Sequence, residues 1–258
     1  MAFPWLVWLE TCESTNTWAL HHADQLYGGQ VIYTQAQTRG RGQYNRTWQS
    51  PKGVLTASFI LPQSPGIVAP SVQAGIAVMR ALRALRPAVD RHLQLKWPND
   101  VMAQGKKLAG ILCESRSPWL VVGVGLNRCV DVEVMGLPQA MSLHTLLDPC
   151  EAVPTDLELL AAIRAELLWC WQQSQGAEVV AERDFLRGRS LTLVQGKQRW
   201  QGIGVGISDR GTLQVRLTNG EVREFSSGHV IYAPRMDCGS GQPVCKNGSW
   251  YYNRLRCA

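Results

Sequence analysis

Glycines and arginines alternate with polar and aromatic side chains in Gly40-Arg41-Gly42-Gln43-Tyr44-Asn45-Arg46, with Gln37 just before and Trp48 just after. Glycine lets a backbone turn tightly and approach a ligand closely, while arginine grips phosphate or carboxylate with a planar fork of donors. A nearby indole offers a plate on which a flat ring can lie. The chemistry is that of holding an anion beside a ring. Taken alone, such a loop would serve equally well as a solvated basic surface or an RNA contact.

Further segments narrow the choice. Ser14-Thr15-Asn16 lies upstream; Lys96-Trp97-Pro98-Asn99-Asp100, Lys107-Leu108-Ala109-Gly110-Ile111-Leu112 and Gly123-Val124-Gly125-Leu126-Asn127 follow in order. Together with the Gly-Arg-Gly loop, this ordered set across residues 14–127 closely resembles the biotin protein ligases. The resemblance implies an α+β fold: a mixed β-sheet catalytic domain of the biotin/lipoate ligase type with flanking helices, plus a small SH3-like C-terminal β-barrel. It also implies an activity. Biotin and ATP would be joined as biotinyl-5′-AMP with release of pyrophosphate, and the biotinyl group passed to a lysine of a biotin carboxyl carrier protein, such as that of acetyl-CoA carboxylase.

On that resemblance, Arg41 and Lys107 are the catalytic cations, both touching biotin and the reacting phosphate. Ser14, Thr15, Asn16, Gln37, Gly40, Gly42, Gln43 and Gly110 complete the biotin site. Arg46, Trp48, Asn99 and Asn127 are assigned to the nucleotide, Trp48 as a stacking plate for adenine, and Asp100 to Mg2+. Several of these residues have plainer alternatives: Ser14 can cap a helix, and Trp48 can simply pack. Lys106, next to Lys107, is expected to face water. One position departs from the family's pattern: after Gly42, where many members carry arginine, this chain has Gln43 and then Tyr44.

The elements that must position these residues follow from periodicity. Met1–Glu10 lacks a basic leading region and reads as a first strand rather than a signal peptide, and a helix follows Ser14 or Thr15. Residues 31–34 and 54–61 read as strands on either side of the glycine loop. Pro70 opens a helix with Val72, Ile76, Met79 and Leu82 at helical spacing, ending before Pro87. Residues 93–96 form a strand leading into Trp97-Pro98, so that Asn99, Asp100 and Lys107 share a hairpin. Residues 121–126 are a buried strand whose glycines leave room for something flat to lie on the backbone. Thr155-Asp156-Leu157-Glu158 is a capping box opening a helix through Leu160, Ile163, Leu167 and Trp171. Short strands at 191–193, 203–207 and 213–217 suggest a small barrel. The domains are therefore read as 1–187, 188–233 and a loosely ordered tail, 234–258.

The chain has 258 residues, 45% hydrophobic and 18% charged, which is ordinary for a globular enzyme. Its net charge of +6 suits an anionic ligand, but no Lys/Arg block of the kind that tracks nucleic acid is present. No apolar run approaches the ~20 residues that span a bilayer. A cytoplasmic enzyme is expected, with no membrane contact and no specific nucleic acid. Short ligases of this type are often homodimers. The eight cysteines have neither CxxC pairing nor a His-rich neighbour and read as idle thiols. No nucleophile elbow is present, and adenylation needs none. Lipoate or octanoyl transfer would share the glycines and the lysine, but the Lys96–Asp100 segment argues against it. A biotin-sensing regulator would need a DNA-binding domain, and only 13 residues precede Ser14.

Overall fold

The computed structural model describes residues 3–64, 69–173, 182–232, 243–246 and 249–252. It divides into two compact units, Met1–Phe185 with Asp209–Gly211, and Leu186–Ser208 with Thr212–Ala258. The first unit is built on a seven-stranded sheet. Its strands are β1 (Leu6–Leu9), β2 (Val31–Thr34), β3 (Val54–Pro62), β4 (Leu93–Lys96), β5 (Asp100–Ala103), β6 (Lys106–Arg116) and β7 (Trp119–Asn127). In space they run β1-β2-β3-β7-β6-β5-β4, with β1 and β2 parallel and the other neighbours antiparallel. The mixture has a simple origin. Tight turns joining β4 through β7 can only make hairpins, whereas helix α1 (Thr15–His21) supplies the crossover that a parallel pair requires.

Side chains alternate across a strand, so Leu55, Ala57 and Phe59 of β3 point to one face while Thr56, Ser58 and Ile60 point to the other. Helices α2 (Pro70–Leu85) and α3 (Asp156–Gln173) cover the first face. Pro70 sits in the first turn of α2, Val72, Ile76, Met79 and Leu82 are buried, and Gly75 lets the helix settle on Leu95 and Ile111. The expected capping box opens α3: Thr155 N donates to Glu158 Oε2 at 2.7 Å and Glu158 N to Thr155 Oγ1 at 3.3 Å. On the second face, Ala19 of α1 joins Ile32, Ile60 and Val121 in a buried cluster. Beyond that cluster the face runs onto Gly123, Gly125 and Gly110.

The second unit contains β8 (Ser190–Gln195), β9 (Gln198–Ile207), β10 (Leu213–Leu217), β11 (Val222–Phe225) and β12 (His229–Tyr232). They form an antiparallel sheet in the order β11-β10-β9-β8-β12, and no ladder joins β11 to β12 among the described residues. These short antiparallel strands fit the small SH3-like domain expected from the sequence, and the described sheet is not closed into a ring. Strands β11 and β12 were not read from the sequence because each is a four-residue edge with little alternation. Within the segment read as a tail, β13 (Pro243–Lys246) and β14 (Ser249–Tyr252) pair as an antiparallel hairpin; the remaining tail positions lie outside the described residues. No described helix is long and apolar enough to cross a membrane.

Candidate functional site

A floor of glycines lies at the centre of the second sheet face. Gly110 of β6 pairs with Gly125 of β7, and Gly123 pairs with Leu112. A Cβ on Gly123 would collide with Asn16 Oδ1, and one on Gly125 with the Trp48 indole. The flat groups lying on this backbone are thus the protein's own Asn16 and Trp48, where the sequence suggested only that something flat belonged. A Cβ on Gly110 would also crowd Trp48 and Lys107, with Lys107 Nζ 3.0 Å away. The Trp48 indole N–H is buried and finds no acceptor among the described residues. Such a donor costs about 1–3 kcal/mol until something accepts it.

Trp48 reaches the floor because its loop folds back on itself. Trp48 N donates to Gly40 O at 2.9 Å and Gly42 N to Arg46 O at 2.7 Å, with Arg41 and Thr47 bridged between them. Gly40 is required here, since a Cβ would strike the Trp48 carbonyl. The tip is a short 3₁₀ turn, Gln43–Asn45, in which Tyr44 takes φ 56° and is exposed. That left-handed backbone is uncommon for a bulky residue. Arg46 follows it, exposed.

At the α1 end of the floor, a polar cluster is tied together. Ser14 caps α1, its Oγ accepting from Thr17 N at 3.4 Å, so the plainer of its two roles is filled. Thr15 N donates to Gln37 Oε1 at 2.8 Å, and Gln37 Nε2 donates to Ser50 Oγ at 3.0 Å. The Ser58 hydroxyl donates to Asn16 Oδ1 at 2.6 Å and lies 2.7 Å from the Thr15 hydroxyl. Asn16 Nδ2 donates to Leu112 O at 3.0 Å and Glu114 Oε2 at 2.9 Å. Ser14, Thr15 and Asn16 are buried, so the cluster is prearranged rather than solvated.

Each of the two expected working cations is held by a carboxylate. Arg41 donates to Glu114 Oε2 at 2.7 Å, the same oxygen that Asn16 uses. Lys107 Nζ sits 2.5 Å from Asp100 Oδ1 and 5.4 Å from the centre of the Trp48 ring, while Lys96 Nζ sits 2.9 Å from Asp100 Oδ2. Burial alone pushes the Asp100 carboxyl up, but Lys107 and then Lys96 outweigh it and hold the group below its ordinary value, ionised. Lys106 is exposed, as expected for its register. Asn99 Nδ2 donates to Ile111 O at 2.7 Å and Asn127 Nδ2 to Lys107 O at 3.3 Å, so both amides brace the main chain around the lysine.

These residues do not form a magnesium site by themselves. Both Asp100 oxygens face ammonium groups, and no cluster of acidic, His and Cys side chains among the described residues could hold a metal ion. Cys12, Cys113, Cys129, Cys150 and Cys170 are free thiols, and burial pushes Cys113 up to about 12 and Cys170 up to about 11, leaving both inert near neutral pH.

The structure thus gathers Thr15, Asn16, Gln37, Gly40, Arg41, Trp48, Asp100, Lys107 and Gly110 on one sheet face. It adds Ser58, Glu114 and Lys96, which sequence reasoning left without a role. Strand alternation carried a signal for Glu114, since Gly110, Leu112 and Glu114 are two residues apart on one face, but only once β6 is known to continue past Leu112. Ser58 is hidden in an otherwise apolar strand, and nothing local marks it.

Comparison with known proteins agrees with this geometry. The model of the Biotin/lipoate A/B protein ligase family matches residues 8–127, from β1 to the end of β7. The biotin--[acetyl-CoA-carboxylase] ligase of Mycobacterium tuberculosis is 34% identical over 219 residues, 79% of each chain. The bifunctional ligase/repressor BirA of Escherichia coli is 34% identical over 241 residues, 86% of this chain and 72% of that one. The biotin protein ligase of Aquifex aeolicus, solved in complex with biotin and ATP, shares the fold with a TM-score of 0.76 at 24% identity, over 90% of this chain and 100% of that one. A third of the positions shared along 79% and 72% of these two relatives' lengths, with a family model that spans the strands and loop carrying Arg41 and Lys107, means that this chain belongs to the biotin protein ligases of the Biotin/lipoate A/B protein ligase family.

Proposed function

We propose that this protein adenylates biotin with ATP and transfers the biotinyl group to a lysine of a biotin carboxyl carrier protein. The observation that carries the reading is the pairing of Arg41 and Lys107 over one glycine-floored face, next to the prearranged cluster of Thr15, Asn16, Gln37 and Ser58. The polar cluster can match the ureido ring of biotin, and leaving such groups unmatched would cost about 1–3 kcal/mol each, which gives selectivity. An oxygen of the biotin carboxylate attacks the α-phosphorus of ATP, pyrophosphate leaves, and the product is a mixed anhydride. Arg41 and Lys107 keep the two anions in line and stabilise charge that shifts between them; a single such contact is typically worth about 10²–10³ in rate. The neutral amine of the acceptor lysine then attacks the acyl carbon and AMP departs. Neither step needs a covalent bond to the enzyme. Magnesium enters as the counter-ion of ATP, and the setting is the cytoplasm, where ATP and the acceptor are found.

The test is incubation with ATP, magnesium and labelled biotin, followed by assay of pyrophosphate and isolation of the adenylate, with lipoate and octanoate as competing acids. Biotinyl-5′-AMP as the product supports the reading. An acyl adenylate formed only from lipoate or octanoate replaces it.

A further inference from the structure

We infer that Lys96 is a positioning residue for Lys107: by holding the other oxygen of Asp100, it leaves Lys107 free to turn toward an anionic ligand. The argument begins with charge. Two ammonium groups share one buried carboxylate, each with its own oxygen, so the trio carries one net positive charge. The two contacts are not equivalent. Lys96 and Asp100 are opposite each other in the β4–β5 ladder, either side of the tight Trp97-Pro98-Asn99 turn, so their contact is set by hairpin register. Lys107 reaches Asp100 from β6, where the β5–β6 register shifts between Val101 and Met102, and its side chain is 34% exposed against 16% for Lys96. Lys96 is the fixed partner and Lys107 the movable one. When Lys107 leaves for a phosphate, Asp100 remains paired. A buried carboxylate with Lys107 as its sole counter-ion would resist that departure, because breaking such a pair strands a charge.

The inference rests on the ligase reading for what Lys107 does, but its test separates the two. Lys96→Met, Asp100→Asn, the double variant and Lys96→Arg are compared by pyrophosphate release with biotin and ATP, and by calorimetric binding of inorganic pyrophosphate alone. Lys96→Met leaves the trio neutral and should lose about tenfold or more in both readouts, whereas Lys96→Arg, which keeps the charge, should lose far less. The double variant restores one net positive charge, with Lys107 unclamped, and should recover most of what Lys96→Met lost. If Lys96 only braced the hairpin, the double variant would lack the same bridge and be no better than the single. That result, or wild-type behaviour of Lys96→Met, overturns the inference. Absence of biotin adenylation in the wild type would sink the ligase reading, and the pyrophosphate titrations would still decide the role of Lys96.

Discussion

Lys106 and Lys107 are chain neighbours on opposite faces of one strand: the first is exposed, the second lies against Asp100 and Trp48. Lys107→Ala and Arg41→Ala should each cut adenylate formation at least ~100-fold, while Lys106→Ala should be nearly silent. Sensitivity at Lys106 instead, read by pyrophosphate release, would mean that the register of β6 is shifted by one residue. Gln43 gives a second expectation. It opens the loop tip at the position where the family resemblance implies an arginine in many members, and the expectation is that a neutral side chain there gives up a charge-assisted contact to the adenylate. Gln43→Arg should slow dissociation of preformed biotinyl-5′-AMP about tenfold, the ratio for ~1.4 kcal/mol. Equal off-rates in the two proteins would show that Arg41, Arg46 and Lys107 already retain the intermediate. Arg41 and Lys107 were legible in the sequence only through the ordered set of motifs that carries the family resemblance, since a basic glycine loop or a strand lysine alone suits a solvated surface equally well. Glu114 and Ser58 were not, because each acquires its partner from a segment tens of residues away, through a register that no local pattern specifies.

Among elements, β3, β6 and β7 form the platform, and their existence was plain from β-branched and apolar runs. What the runs could not show was which faces meet. Gly123 and Gly125 signalled a close approach, but the identity of the approaching groups depended on α1 and on the folded-back loop. Gly125→Ala tests that arrangement. The added methyl would push the Trp48 ring off the floor, with overpacking costing about 1–3 kcal/mol, and adenylation should fall about tenfold or more while the protein still unfolds cooperatively. Denaturant titration beside the pyrophosphate assay separates the two effects; undiminished turnover would mean that Trp48 need not lie on Gly125 during the reaction. The helices were the easier half, because Pro70 and the Thr155–Glu158 box announce their own starts. The small C-terminal domain was legible from its three stronger strands, whereas its two four-residue companions, β11 and β12, lie at the sheet edges and carry little pattern.

For the whole molecule, function is expected to reside in the unit that carries the seven-stranded sheet. Deleting residues 235–258 should leave biotinyl-5′-AMP formation intact, since that segment carries none of the site residues; loss of the first half-reaction in the truncated protein would contradict this. Footprinting on duplex DNA at physiological salt, with and without biotin, should show no protected sequence, since the charge of +6 is not gathered into a basic run. Protection of a defined site would restore the regulator reading. The glycine floor also governs how such a molecule can change over generations. Gly40, Gly123 and Gly125 each face an atom that a single methyl would strike, and every alternative amino acid adds at least that methyl. A saturation library selected for biotin-dependent growth should therefore tolerate mixtures on the exposed 3₁₀ tip and empty out at these three positions. What descendants must inherit there is not a side chain but a volume kept vacant.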